Sequence, residues 1–234
     1  MARIVLMSGS LRRHSVNGAA LATIRSILDR RDSEFHTSEI RVADLPHYNE
    51  DLDVGPGPAA VSAARELLIA SDAAIVSTPS YNGAMTGTLK NALDWLSRPW
   101  KASSLSGKPV ALLTASPGTY GGADAQPDTR RVLERCGAVL IEHPRVAIGS
   151  ADFLVGREGT ITEPLVVAEL ESLVDATIAA IVRGHRRIPV AVRSAGSPSS
   201  TPPEGGGVHE EDRSSRRPPR HLMTGSRPLV SRRR

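Results

Sequence analysis

Short, largely apolar runs alternate with stretches of helical spacing along residues 1–182. Arg3 to Ser8 reads as a buried strand, and further strands are predicted over 34–42, 72–77, 108–114 and 138–142. Between them, Leu21, Ile24 and Leu28 recur on one face of a helix over 15–31, and Val61, Ala64, Leu67 and Leu68 on one over 59–70. Helices are also expected over 88–96, 123–135 (stopped by Gly137) and 163–182. Strands without a polar face need cover on both sides, so the pattern implies a parallel sheet between two layers of helices. Right-handed crossovers make it doubly wound.

From about Arg186 the periodicity ends. The segment 197–207, SPSSTPPEGGG, cannot bury enough apolar surface to offset the entropy of ordering it. The chain thus divides into a domain over 1–185 and an Arg/Pro/Ser/Gly-rich tail over 186–234, expected to be disordered from 190. This division changes the reading of charge. The net charge is +4, yet the tail holds 11 of the 29 Lys and Arg and only 4 of the 25 Asp and Glu. The tail is therefore +7 and the domain −3. A nucleic-acid role for the folded part loses its support. One cysteine, Cys136, leaves no intramolecular disulfide and suits a reducing compartment. No 18-residue apolar run spans a membrane and the first residues do not form a signal peptide, so a cytoplasmic location is expected.

Ligands of such sheets bind beyond the carboxyl ends of the strands. The loop after the first strand, Gly9 to Asn17, leads into a helix N-terminus, where free N–H groups and the dipole favour an anion. Ser10 and Ser15 offer hydroxyls, Arg12 a guanidinium and Asn17 an amide, a set suited to a phosphate monoester. The same residues also suit a plain N-cap at Ser15 with solvated arginines. The loop is neither a Walker A loop nor GxGxxG, which favours a mononucleotide over a pyrophosphate. After the third strand, Pro79-Ser80-Tyr81-Asn82-Gly83 is a tight turn whose backbone suits the edge of a flat heterocycle. After the fourth, Ser116-Pro117-Gly118-Thr119-Tyr120-Gly121-Gly122 has glycines that permit close backbone approach to a ligand.

No nucleophile elbow, no Ser-His-Asp order and no metal-spaced cluster occurs; His36, His47 and His143 are scattered. Cys136 suits the core better than a nucleophile's place. No catalytic side chain and no metal is assigned. A site without acid, base or nucleophile fits a cofactor that carries the chemistry itself.

At this point Gly9-Ser-x-Arg12-x-x-Ser15-x-Asn17 resembles the phosphate loop of the NADPH-dependent FMN reductase family. Tyr81-Asn82-Gly83, followed by Gly87-x-Leu89-Lys90-Asn91-Ala92-Leu93-Asp94-Trp95, resembles its second hallmark, and Ser116-x-Gly118-x-x-Gly121-Gly122 its third. The resemblance covers about residues 1–182. It implies a flavodoxin-like three-layer α/β/α sandwich with five parallel strands in the order 2-1-3-4-5. It implies tightly bound FMN, with the phosphate held by Ser10, Arg12, Ser15, the Val16 backbone and Asn17. Pro79, Ser80, Tyr81, Asn82 and Gly83 would line the isoalloxazine, with Ser116, Gly118, Tyr120, Gly121 and Gly122 along its other side. Electrons would pass by ping-pong exchange from NADPH or NADH to small acceptors such as quinones, azo compounds, metal oxyanions or free flavin. The family's members are homodimers or homotetramers, often packed through the helix bearing Leu89 to Trp95. Two departures stand out. The family usually has proline where Thr86 stands, which implies a less rigid turn here, and the basic tail is foreign to the pattern.

Two other classes stay open on sequence. A non-enzymatic flavodoxin-type electron carrier uses the same fold, though carriers are strongly acidic and rich in aromatics, and this chain is 3% aromatic. A scaffold whose basic tail binds nucleic acid would need no flavin.

Overall fold

The computed structural model describes residues 1–31 and 34–187. In chain order these form β1 (Ala2–Ser8), α1 (Val16–Arg31), β2 (Phe35–Ile40), α2 (Ala59–Ile69), β3 (Ala73–Thr78) and α3 (Gly87–Leu96). Then follow β4 (Pro109–Ala115), α4 (Gln126–Arg135), β5 (Val139–Leu140), β6 (Val146–Ile148) and α5 (Pro164–Arg187). The sheet is parallel throughout, in the order β2-β1-β3-β4-β5, with β6 also on β4. This is the expected flavodoxin-like order with one strand more. The topological switch falls between β1 and β3, where a doubly wound sheet opens its binding crevice.

The added strand comes from a break in the edge. Val110 to Leu113 is three steps along β4, but their partners, Leu140 and Val146, stand six apart. Three residues more than the ladder can pair must leave it. Pro144 sits in the break and has no N–H to give to β4. The strand expected over 138–142 is therefore only Val139–Leu140, and a second short piece resumes at Val146. Elsewhere the differences lie at element ends. The chain over Val42–Asp44 turns into a 3-10 helix instead of extending β2, and Ala123–Ala125 is a 3-10 turn ahead of α4. Helix α5 runs to Arg187; beyond that residue, the expected disordered tail lies outside the described residues. Among the described residues, no helix is long and apolar enough to cross a membrane.

Alternation along each strand feeds two cores. Ile4, Leu6, Ile75 and Leu113 pack under α1 and α5. Val5, Met7, Val76 and Leu112 pack under α2, α3 and α4. The second core is closed by one charged group. Arg65 on α2 pairs with Asp53 at 2.8 Å and donates to the Trp95 carbonyl at 2.9 Å. Its guanidinium lies 5.9 Å from the Trp95 ring centroid, a cation–π distance. Trp95 donates its indole N–H to the Pro46 carbonyl at 2.7 Å, and Tyr48 meets the ring edge-on. The long β2–α2 connection is thereby fastened to α3. Both charged side chains are about a tenth exposed (11% and 12%), so removing one strands the other. Asp53→Ala is expected to lower unfolding free energy by about 3 kcal/mol in urea titrations followed by circular dichroism.

Candidate functional site

The loop after β1 is anchored before it becomes free. Gly9 donates to the Ser77 carbonyl at 2.7 Å. A Cβ on Gly9 would stand 2.9 Å from Thr78 Oγ1 and 3.1 Å from both Leu89 Cβ and Thr86 Oγ1, so glycine is required here. The Gly9 carbonyl accepts the hydroxyls of Thr86 at 2.6 Å and Thr88 at 3.1 Å. Thr86 also N-caps α3, accepting from the Leu89 N–H at 3.2 Å. The expectation of a looser turn at Thr86 is thus corrected. Its φ of −65° is one a proline would share, and its hydroxyl fixes two loops to each other.

Beyond Gly9, the Ser10 N–H donates to Ser8 Oγ at 3.2 Å and the Arg12 N–H to Ser10 Oγ at 3.4 Å. Arg12 is exposed. Ser15 is buried directly ahead of α1, where its Oγ accepts from the Gly18 N–H at 3.4 Å. It is therefore an N-cap whose own hydroxyl proton stays free for a further acceptor. The first helical bond bordering α1 runs from the Ala19 N–H to the Ser15 carbonyl at 2.9 Å, so the N–H groups of Val16 and Asn17 precede it at the positive end of the helix. The Asn17 side chain turns inward. It donates to the Ala115 carbonyl at 2.9 Å and accepts from Ser77 Oγ at 2.8 Å. With 3% exposure, this amide ties α1 to the ends of β3 and β4.

After β3, Tyr81 and Ala84 close a two-residue turn through paired backbone bonds of 2.9 and 3.2 Å. Asn82 (φ 55°) and Gly83 (φ 77°) both have positive φ, the signature of a type I′ turn. The turn is exposed, Tyr81 with it. The loop after β4 is bound on both flanks. A Cβ on Gly121 would fall 2.4 Å from the Ala147 carbonyl carbon, and one on Gly149 2.1 Å from the Thr119 carbonyl oxygen. One on Gly122 would lie 3.1 Å from Ser80 N. Gly121 and Gly122 thus let the loop close onto β6 and the β3 turn, a contact within the protein itself.

Between the β3 and β4 loops lies a cavity of about 790 Å³. Eight expected residues line it: Ser80, Asn82 and Gly83 from one loop, and Ser116, Gly118, Tyr120, Gly121 and Gly122 from the other. Pro79 and Tyr81 are not in its wall, and neither are Ser10, Arg12, Ser15, Val16 and Asn17; these last lie at or before the start of α1, where Asn17 meets Ala115 next to the lining residue Ser116. The sequence reading missed four lining residues: Ala123, Asp124, Pro127 and Arg145. The first three simply continue the glycine loop into α4 and were within reach of a longer reading of that loop. Arg145 comes from the broken edge strand, which no local pattern marks. Cys136 lies away from the cavity, half-buried at the end of α4, and burial pushes its thiol pKa up, against a nucleophile's needs.

The arrangement fits a flat mononucleotide. A helix start with hydroxyl and guanidinium donors suits a phosphate, and the cavity beside it has the size of a small-ligand pocket. Residues 2–152 match the model of the NADPH-dependent FMN reductase family, and the chain belongs to that family. It is 34% identical over 184 residues to a 2-hydroxy-1,4-benzoquinone reductase of a Burkholderia species, covering 79% of this chain and 98% of that protein. It is 38% identical to an NAD(P)H-dependent FMN reductase of Pseudomonas aeruginosa, over 69% of this chain and 85% of the relative. Among solved structures it superposes on FerB, a flavoenzyme NAD(P)H:(acceptor) oxidoreductase of Paracoccus denitrificans. That match has a TM-score of 0.70 at 31% identity, over 78% of this chain and 98% of FerB. The chain is accordingly an FMN-dependent oxidoreductase with a nicotinamide dinucleotide as electron donor, an enzyme and not a bare electron carrier.

The Asn17 amide carries a structural load that can be measured without any ligand. Asn17→Ala leaves Ser77 Oγ and the Ala115 carbonyl unpaired in a buried setting. It is expected to cost about 2 kcal/mol, read from thermal unfolding of the flavin-free protein.

Proposed function

We propose that this enzyme reduces quinones and similar small acceptors with NADH or NADPH, at an FMN spanning the α1 start and the 790 Å³ cavity. One observation carries the reading: the cavity opens between two loops that are physically joined to the phosphate loop. Thr86 and Thr88 hold Gly9, and Gly122 abuts Ser80, so the binding elements form one connected rim.

In this reading, Ser10, Arg12 and Ser15 hold the phosphate together with the backbone N–H groups of Val16 and Asn17. Arg12 supplies the charge, and Ser15 supplies a hydroxyl already aimed by its capping bond. Asn17 acts through its backbone, while its side chain positions the strand ends. Pro79, Ser80, Tyr81, Asn82 and Gly83 present turn backbone groups to one edge of the heterocycle. Ser116, Gly118, Tyr120, Gly121 and Gly122 flank the other side. FMN, when bound, supplies the hydride chemistry. The protein orients the reacting partners and shields them from water, with no side chain required as acid or base. Tyr120 is 86% exposed at the rim, where it can cover an incoming donor or acceptor. Donor and acceptor are proposed to meet the same exposed flavin face in turn, a ping-pong order.

The quinone assignment rests on the relatives' activities. We further propose a homodimer, supported by exposed Tyr81, Tyr120 and Phe153 in a chain short of aromatics. A cytoplasmic location is supported by the half-buried, unpaired Cys136.

Purified protein reconstituted with FMN is expected to oxidise NADH or NADPH when 1,4-naphthoquinone is added; absence of turnover with both donors overturns the reading. Arg12→Ala is expected to weaken FMN binding by about tenfold in fluorescence-quench titrations, since it deletes a charge-assisted bond to phosphate. Light scattering on the eluting protein tests the dimer, for which twice the chain mass of 24.9 kDa is expected.

A further inference from the structure

Arg145 joins the cavity wall from an unusual place. It lies in the break between β5 and β6, next to Pro144, where three surplus residues leave the edge of the sheet. The neighbouring acid in the same break, Glu142, is taken by Arg130 at 3.1 Å. Among the described residues no carboxylate pairs with Arg145 within ion-pair distance. The acid in the cavity wall, Asp124, stands toward the β3 turn: its Oδ2 is 3.9 Å from where a Cβ on Gly83 would be. The cavity thus has an acidic side at the type I′ turn and a cationic side at the broken edge strand. The phosphate proposed for α1 has its own arginine in Arg12, so Arg145 is left over for whatever else enters.

We propose that Arg145 is a specificity-determining residue that selects co-substrates carrying an anionic oxygen. This rests on the proposed function and narrows its substrate class. The favoured partner is an ionised hydroxyquinone or another acceptor with a negative oxygen, or the phosphate-bearing form of the nicotinamide donor. The shared chemistry is a charge-assisted hydrogen bond from a guanidinium to an anionic oxygen, made at the cavity wall. Arg145 is solvent-exposed where it lines the wall, so its guanidinium is accessible to an incoming ligand.

The test uses the full chain reconstituted with FMN, as wild type, Arg145→Gln and Arg145→Lys. The acceptor arm compares 2-hydroxy-1,4-naphthoquinone, an anion at pH 7, with uncharged 1,4-naphthoquinone, at saturating NADH. The donor arm compares NADPH with NADH, using the uncharged quinone. The readout is the ratio of kcat/KM for the charged to the uncharged partner. Calorimetric titration of the hydroxyquinone into the oxidised protein gives a second readout independent of turnover. Arg145→Gln is expected to lower the charged-to-uncharged ratio by about tenfold in one arm, through KM and not kcat, and Arg145→Lys to restore most of it. A shift in the acceptor arm identifies an anionic acceptor, and one in the donor arm a donor phosphate. Ratios unchanged within about twofold in both arms, or a lysine variant no better than glutamine, overturn the proposal. Wild-type turnover of NADH with the uncharged quinone tests the flavoenzyme reading separately, because that pair offers the acceptor arm no charge for Arg145 to select.

Discussion

The Asn17 side chain joins three elements whose ends make the binding edge. Its amide sits at the first turn of α1, yet its partners are the Ser77 hydroxyl on β3 and the Ala115 carbonyl on β4. Buried groups of this kind have no water to fall back on, so the arrangement is either complete or costly. It sets where α1 begins relative to the two strands that carry the other binding loops. Thr86 repeats the logic one layer out, tying Gly9 to the start of α3. Every loop of the candidate site therefore leaves from a fixed point. Placement of a cofactor across several loops depends on that, since a misplaced loop would lose contacts with both ends of the ligand at once.

The sheet was readable because its inner strands β1, β3 and β4 are apolar on both faces and its helices have one clear stripe. Ile4 and Leu6 face one helical layer, Val5 and Met7 the other, which is what continuous burial implies. Strand order was not visible in the sequence itself: five strands with a ligand loop after the first suggested it, and the family resemblance implied it. The edge was not readable. Val139-Leu140-Ile141 looks like the start of an ordinary strand; Pro144 marks where it stops, but nothing nearby announces that the chain will return to the ladder at Val146. Strand breaks are decided by pairing with a distant neighbour, here β4, and period alone does not carry that information.

The site divides the same way. Loop residues marked by type, such as the serines, the arginine and the turn at Tyr81-Asn82-Gly83, were visible as a set. Their reasons were less so. Gly121 was expected to let backbone approach a ligand, but the close approach is to Ala147 of the protein itself. Asn17 was expected as a ligand-facing amide, and its side chain serves the sheet instead. Residue identity names what a position tolerates; which neighbour imposes the demand emerges only when separate strands are brought side by side. Arg145 was missed for that reason, as its place in the wall depends on where the β4 loop and the broken edge come together.

The broken edge has a consequence beyond the cavity it lines. An exposed sheet margin presents a row of unpaired backbone groups on which a second chain can add as a further strand, the first step toward fibrous aggregates. Here that margin is cut into pieces of two and three residues, with a proline between them. Neither piece is long enough to template a stranger. The break that places Arg145 at the pocket therefore also guards this margin of the sheet against self-adhesion, and a variant that straightened it to simplify the pocket would forfeit that protection.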